Sequence, residues 1–212
     1  MRDRIVAGID VGTSKIATVI ASQKEEGPLS IIGVSIVDSK GLRKGQVVDI
    51  EDAITAISPS LEGSERMAGT SISQAYISVG GNHISSQNSH GVVAVADPEK
   101  EITADDVVRV IDAAKAISIP SSRHILHVLP RGFIVDGQEG IADPIGMTGV
   151  RLEVDTHIVT GGTTAIRNLE KCVGELGVEV AGMVFGGLAS ATAVLSDTEK
   201  ELGVVLIDIG GG

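Results

Sequence analysis

The 212-residue chain is long enough for one large domain or two small ones, and its 42% hydrophobic content supplies a core. With 28 acidic against 17 basic residues, its formal net charge of -11 excludes a basic surface able to neutralise many phosphates. Tyr76, Phe133 and Phe185 are the only aromatic residues, so there is no platform for stacking bases, and nucleic acid is not an expected partner. A single cysteine, Cys172, excludes an intrachain disulfide and a cysteine-based metal site, and suits a reducing cytoplasm. The apolar run before Asp10 is too short for a signal peptide. No stretch approaches the roughly 20 apolar residues of a membrane span, so the chain is expected to be soluble.

β-branched residues crowd IVAGI and KIATVIA, which predicts two strands between residues 4 and 21 joined by a tight turn at 10–14. A polar turn over 25–28 leads to a third strand, 30–39, and such short connections make the three an antiparallel meander. Residues 41–45 read as a loop. Over 51–67, Ala53, Ile54 and Ile57 have helical spacing, but Pro59 and Gly63 predict a break or kink. AYISVGG, 75–81, is a strand ending in glycines.

The texture changes at His83. A helix is predicted over 105–118, capped by Thr103 with Asp106 in the capping-box position and ended before Pro120. Its apolar stripe is Val107, Val110, Ile111, Ala114 and Ile117. HILHVLP, GFIVDG and the alternating 150–159 segment then give a helix-plus-sheet unit of about 75 residues, near the lower limit for an independent domain. A helix over 164–176, with Ile166, Leu169 and Val173 on one face, resumes the first unit. EVAGMVF reads as a strand, GGLASATAVL as a helix of small residues, and 201–209 as a continuous apolar strand that delivers Asp208 into Gly210, Gly211 and Gly212.

Two segments, AGID-VGTSK and VLID-IGGG, share one grammar: a buried apolar strand, an Asp at its carboxyl end, then a glycine-bearing turn. Glycines let backbone N–H groups wrap an anion, and the hydroxyls of Thr13 and Ser14 add donors. Asp10, Gly12, Thr13, Ser14 and Lys15 form one candidate phosphate clamp; Asp208, Gly210, Gly211 and Gly212 form the other. Asp10 and Asp208 are candidates for holding magnesium through water, and Lys15 adds a point charge. Each motif alone equally describes a hairpin turn after a strand. The pair, at opposite ends of the chain, resembles the two phosphate loops of the actin, heat-shock chaperone and sugar-kinase ATPase superfamily.

The middle of the chain is more specific. Residues 84–88 (ISSQN), 124–130 (HILHVLP), 136–147 (DGQEGIADPIGM), 149–154 (GVRLEV), 187–190 (GLAS) and 201–204 (ELGV) resemble, in order, the FtsA family of bacterial cell-division proteins. The resemblance implies an α/β fold with an α+β insert: an actin-like, ribonuclease H-like subdomain 1A carrying an inserted SHS2-type subdomain 1C, truncated before the second lobe. The implied boundaries are 1–82 and 159–198 for subdomain 1A, 83–158 for 1C, and 199–212 for the first strand and phosphate loop of subdomain 2A. It further implies ATP and magnesium as cofactors and at most weak ATPase activity. The family's role is to tether FtsZ filaments to the cytoplasmic membrane at the division septum, to self-associate into filaments and to recruit later division proteins through the 1C face. The family's adenine contacts, FtsZ-binding face and membrane-binding amphipathic helix would all follow Gly212, so nucleotide binding by this chain alone is expected to be weak or absent. A continuous helix is the family pattern where Pro59 and Gly63 stand here.

His83, His90, His124, His127 and His157 are scattered and read as structural. Cys172 reads as a small buried hydrophobe. Asp136, Glu139 and Asp143, among glycines and Pro144, read as a turn-rich surface segment and not a metal loop. Ser190 lies in no nucleophile elbow. Two other functions fit the same fold, a sugar or acetate kinase and a pilus-assembly relative, since fold alone does not fix function.

Overall fold

The computed structural model describes residues 4–24, 27–95, 101–116 and 119–212. They divide into two compact units, one of Met1–Ile84 with Gly162–Gly212 and one of Ser85–Gly161.

The first unit opens with β1 (Arg4–Val11), β2 (Lys15–Gln23) and β3 (Leu29–Asp38), paired antiparallel in the expected meander. The segment expected as a plain loop carries the small hairpin β4 (Leu42–Arg43) and β5 (Gln46–Val47). Lys44 and Gly45 make its turn, both at positive φ. After α1 (Ile50–Ala68) comes β6 (Gln74–Val79), parallel to β1.

The expected break in α1 does not occur. Asp49 caps its start, Gly69 closes its end in the left-handed conformation, and the helix runs 19 residues through Pro59. The carbonyl that Pro59 deprives of a partner is that of Thr55, and both residues are exposed, so water can replace the lost bond. The opposite face is held by packing. Ile57 is fully buried, Ser60 donates to the Ser35 carbonyl at 3.1 Å, and the Thr18 and Ser60 hydroxyls lie 2.8 Å apart. Gly63 is no breaker either: a Cβ there would lie 2.5 Å from Ser35 Oγ, so the glycine sets how closely α1 approaches β3.

The second unit comprises β7 (Ser85–Ala94), α2 (Ala104–Lys115), β8 (Arg123–Val135), β9 (Gln138–Ile141) and β10 (Arg151–Gly162, whose last residue belongs to the first unit). Its sheet order is β7-β10-β8-β9. The Thr103–Asp106 capping box forms as predicted. Val110 and Ala114 are fully buried, with Val107 and Ile111 packed beside them against Phe133, Val135, Leu152 and Val154; Ile117 lies outside the described residues. Gly91 allows α2 to sit on β7, since a Cβ there would meet the Val110 carbonyl and Ala114 N.

The chain then returns through α3 (Thr163–Gly174), β11 (Glu179–Phe185), α4 (Gly186–Val194) and α5 (Asp197–Leu202). β11 joins parallel to β6 and completes a five-stranded sheet of order β11-β6-β1-β2-β3. The strand predicted over 201–209, assigned to subdomain 2A, is not formed. Glu201 and Leu202 end α5, and 203–212 is neither helix nor strand. A strand exists only through a ladder with a neighbour, and Val205, Ile207 and Ile209 here face solvent instead.

On the second unit's other sheet face, His90 lies between two carboxylates, with Nδ1 2.9 Å from Asp155 and Nε2 2.9 Å from Glu153. The hydrogen bond to Asp155, aided by Glu153, raises the His90 pKa above 6.5 against the opposing effect of burial. A raised folded pKa means that this stabilisation is fully present below the unfolded value and is lost as pH rises through the folded one. Thermal melts should therefore show stability falling as pH rises above about 6.5 in the wild type and a flatter profile in His90→Gln; parallel profiles would remove His90 as the cause.

Candidate phosphate-binding site

β1, β6 and β11 are mutually parallel neighbours, and ligands of such sheets bind beyond the carboxyl ends of the strands. Asp10 at the end of β1 is in register with Ser78 on β6. The turn to β2 is tight: Gly12 N–H donates to the Lys15 carbonyl at 3.0 Å, and a Cβ on Gly12 would lie 2.8 Å from that same oxygen. β6 runs out into Gly80 and Gly81, and β11 into Gly186 and Gly187 at the start of α4.

These ends surround one open cavity of about 340 Å³, within the range of small-ligand sites. Asp10, Gly12, Thr13, Ser14 and Lys15 line it from the first loop, and Asp208, Gly210, Gly211 and Gly212 from the second. The structure thus brings together all nine residues singled out in the sequence. The loops meet with room for backbone only: a Cβ on Gly211 would lie 3.2 Å from Ser14 Cβ, and one on Gly212 2.5 Å from Thr13 Oγ1. Thr13 Oγ1 accepts from Gly45 N–H at 2.8 Å, and the Ser14 carbonyl accepts from Ser39 N–H at 3.2 Å.

Among the described residues, neither Asp10 nor Asp208 enters an ion pair. Two carboxylates against Lys15 would repel a phosphate chain, so an anion fits this lining only with a cation beside it. The glycine cradle and the two carboxylates fit magnesium and a polyphosphate.

Sequence reasoning missed Gly45, Ser78, Gly80, Gly81, Phe185, Gly186 and Gly187, which with Val11 and Ile209 complete the lining. Gly80–Gly81 and Gly186–Gly187 carried a usable signal, a glycine pair directly after an apolar strand. Gly45 carried none, because only the tertiary fold brings the hairpin to Thr13.

The remaining candidates have local roles. The Asp136 carboxylate accepts from Val150 and Arg151 N–H, and Asp143 from Ile145 N–H, so both hold turns. His157 Nδ1 lies 2.8 Å from Asn88 Oδ1, His83 Nδ1 accepts from Gly162 N–H at 3.2 Å, and burial lowers the His127 pKa. Among the described residues no group of three or more His, Cys, Asp or Glu side chains is placed to hold a metal, and no helix is long and apolar enough to cross a membrane. α4 buries none of its residues, and Ser190 does not line the cavity.

A meander followed by parallel strands, with glycine turns at their carboxyl ends and an α+β unit inserted, is the actin-like ATPase fold. A solved PilM-PilN type IV pilus biogenesis complex shares it at a TM-score of 0.60 and 12% identity, over 88% of this chain and 49% of that one. Residues 81–160 match the family described as the SHS2 domain inserted in FtsA. Cell division protein FtsA of Pseudomonas aeruginosa is 44% identical over 209 residues, 99% of this chain and 50% of its own. That of Borreliella burgdorferi is 46% identical over 212 residues, 100% of this chain and 51% of its own. The chain spans about half the length of these relatives, and over that half it is similar to FtsA from end to end.

Cys172 sits on the inner face of α3 with no exposed surface, and burial raises its thiol pKa. It should react with a thiol-specific reagent in denaturant and not in the native protein; rapid native labelling would show that α3 opens.

Proposed function

We propose that this chain is the nucleotide-binding and partner-recruiting half of an FtsA-type cell-division scaffold. Such a protein binds ATP, tethers FtsZ filaments to the cytoplasmic face of the membrane at the septum, self-associates into filaments and recruits later division proteins. The observation that carries the nucleotide part is the meeting of the two glycine loops, with Asp10 and Asp208, in one cavity. Gly12 keeps the first turn tight, and Gly210, Gly211 and Gly212 admit a phosphate chain to their backbone N–H groups. Thr13 and Ser14 donate from the side, and Lys15 supplies positive charge. Asp10 and Asp208 would hold a magnesium ion through water, and its charge would offset that of the phosphates. Lining side chains that could take a proton from an attacking water are limited to these same two carboxylates, which supports slow turnover.

The alternatives are a pilus-assembly relative and an actin-fold kinase. The 44% and 46% identity to proteins named for cell division, against 12% to the pilus complex, favours the division reading. In the protein at its relatives' length, Asp10→Ala should weaken binding of a fluorescent ATP analogue with magnesium by about 10- to 100-fold, as for loss of a charged contact; unchanged affinity would remove Asp10 from the site. The 212-residue chain alone should bind the analogue weakly or not at all, and submicromolar affinity would mean that this half forms the whole clamp. In pulldowns the longer protein should retain FtsZ and the 212-residue chain should not. Failure of the longer protein to retain FtsZ would count against the division reading.

A further inference from the structure

We propose that Gly45, in the turn of the β4–β5 hairpin, is a positioning residue of the phosphate site, acting through the hydroxyl of Thr13. This rests on the phosphate-binding reading given above.

A threonine hydroxyl has one proton and two lone pairs. In Thr13 one lone pair is taken by Gly45 N–H at 2.8 Å, and among the described residues the proton meets no acceptor. The side chain is thereby held with its oxygen toward the hairpin and its proton free for a bound anion. The bond lies directly under the second glycine loop, since a Cβ on Gly212 would come within 2.5 Å of Thr13 Oγ1 and 2.8 Å of Gly45 N. A hydrogen bond donated from that hydroxyl would point into the cradle where the two loops meet.

The hairpin can hold Thr13 because it is itself held. Gly45 has φ +73°, and a Cβ on it would meet the Gly80 carbonyl; Gly81 has φ +104°, and a Cβ on it would meet the Lys44 carbonyl. Two turns distant in sequence are thus pressed backbone to backbone, a packing open only to glycine. Asn82 N–H donates to the Lys44 carbonyl at 3.4 Å, and Gln46 Nε2 donates to Asn82 Oδ1 at 2.6 Å. Gln46 and Asn82 do not line the cavity, so an effect of either on anion affinity has to travel through the hairpin.

The test is a double-mutant cycle in the protein at its relatives' length, read as affinity for a fluorescent ATP analogue with magnesium and with circular dichroism confirming the fold. Thr13→Val and Gly45→Ala should each weaken binding by about tenfold, the effect of one hydrogen bond to a charged group, and Thr13→Ser should keep most of the affinity. Gln46→Ala, a mild change outside the cavity, should cost about two- to fivefold with Thr13 in place and nothing in the Thr13→Val background. It carries the test if Gly45→Ala fails to fold. Unchanged affinity in Gln46→Ala, or its full effect persisting beside Thr13→Val, overturns the proposal. Absence of magnesium-dependent binding in the wild type, or its indifference to Asp10→Ala, removes the phosphate site and this proposal with it. Binding that is lost in Asp10→Ala and untouched by the hairpin variants overturns this proposal alone.

Discussion

Backbone packed on backbone around Thr13 is the contact on which the site depends. Gly45, Gly81 and Gly212 each stand where a Cβ would strike main-chain or hydroxyl atoms of another segment. Because no side chains intervene, the first loop, the hairpin and the second loop converge on one small cavity. Larger residues would separate the segments by ångströms and open the cavity they share.

The sheet makes the convergence possible. Parallel pairing of β1 with β6 and of β6 with β11 brings three strand ends to one edge of the first unit. α1 then locks the meander behind β1. Its buried Ser60 and Ser64 are satisfied by the Ser35 and Leu61 carbonyls, so polar residues sit on a core-facing helix at little cost. The second unit needs none of this, because α2 closes its own core over β7, β8 and β10. Such self-sufficiency suits an insert, which can enter and leave the parent sheet without contributing to it.

The electrostatics divide along the same lines. The cavity gathers two carboxylates at the carboxyl ends of apolar segments, an arrangement that favours a divalent cation over a bare anion. The insert places its charges in pairs: His90 with Asp155 and Glu153 across β7 and β10, and Arg151 with Glu153. The His90 pairs tie β7 to β10, whereas Asp10 and Asp208 stand outside the ion pairs of the described residues.

Local chemistry was readable from the residues. β-branched runs gave the meander, Thr103 with Asp106 gave the start of α2, the Asp–Gly grammar gave both loops, and the ordered middle segments gave the family. These features depend on neighbours in sequence, through backbone sterics, capping bonds and turn geometry. What depends on distant partners was misread or unseen. Pro59 failed to break α1 because packing against β3 outweighs one lost bond, and the 201–209 run formed no strand because a ladder needs a second chain segment. The sequence by itself determined the family resemblance, the meander, the start of α2 and the positions of the two glycine loops. Only the tertiary structure decided that Gly45 reaches Thr13, that Gly80, Gly81, Gly186 and Gly187 complete the cavity, and that the two loops meet, since those are contacts between segments far apart along the chain.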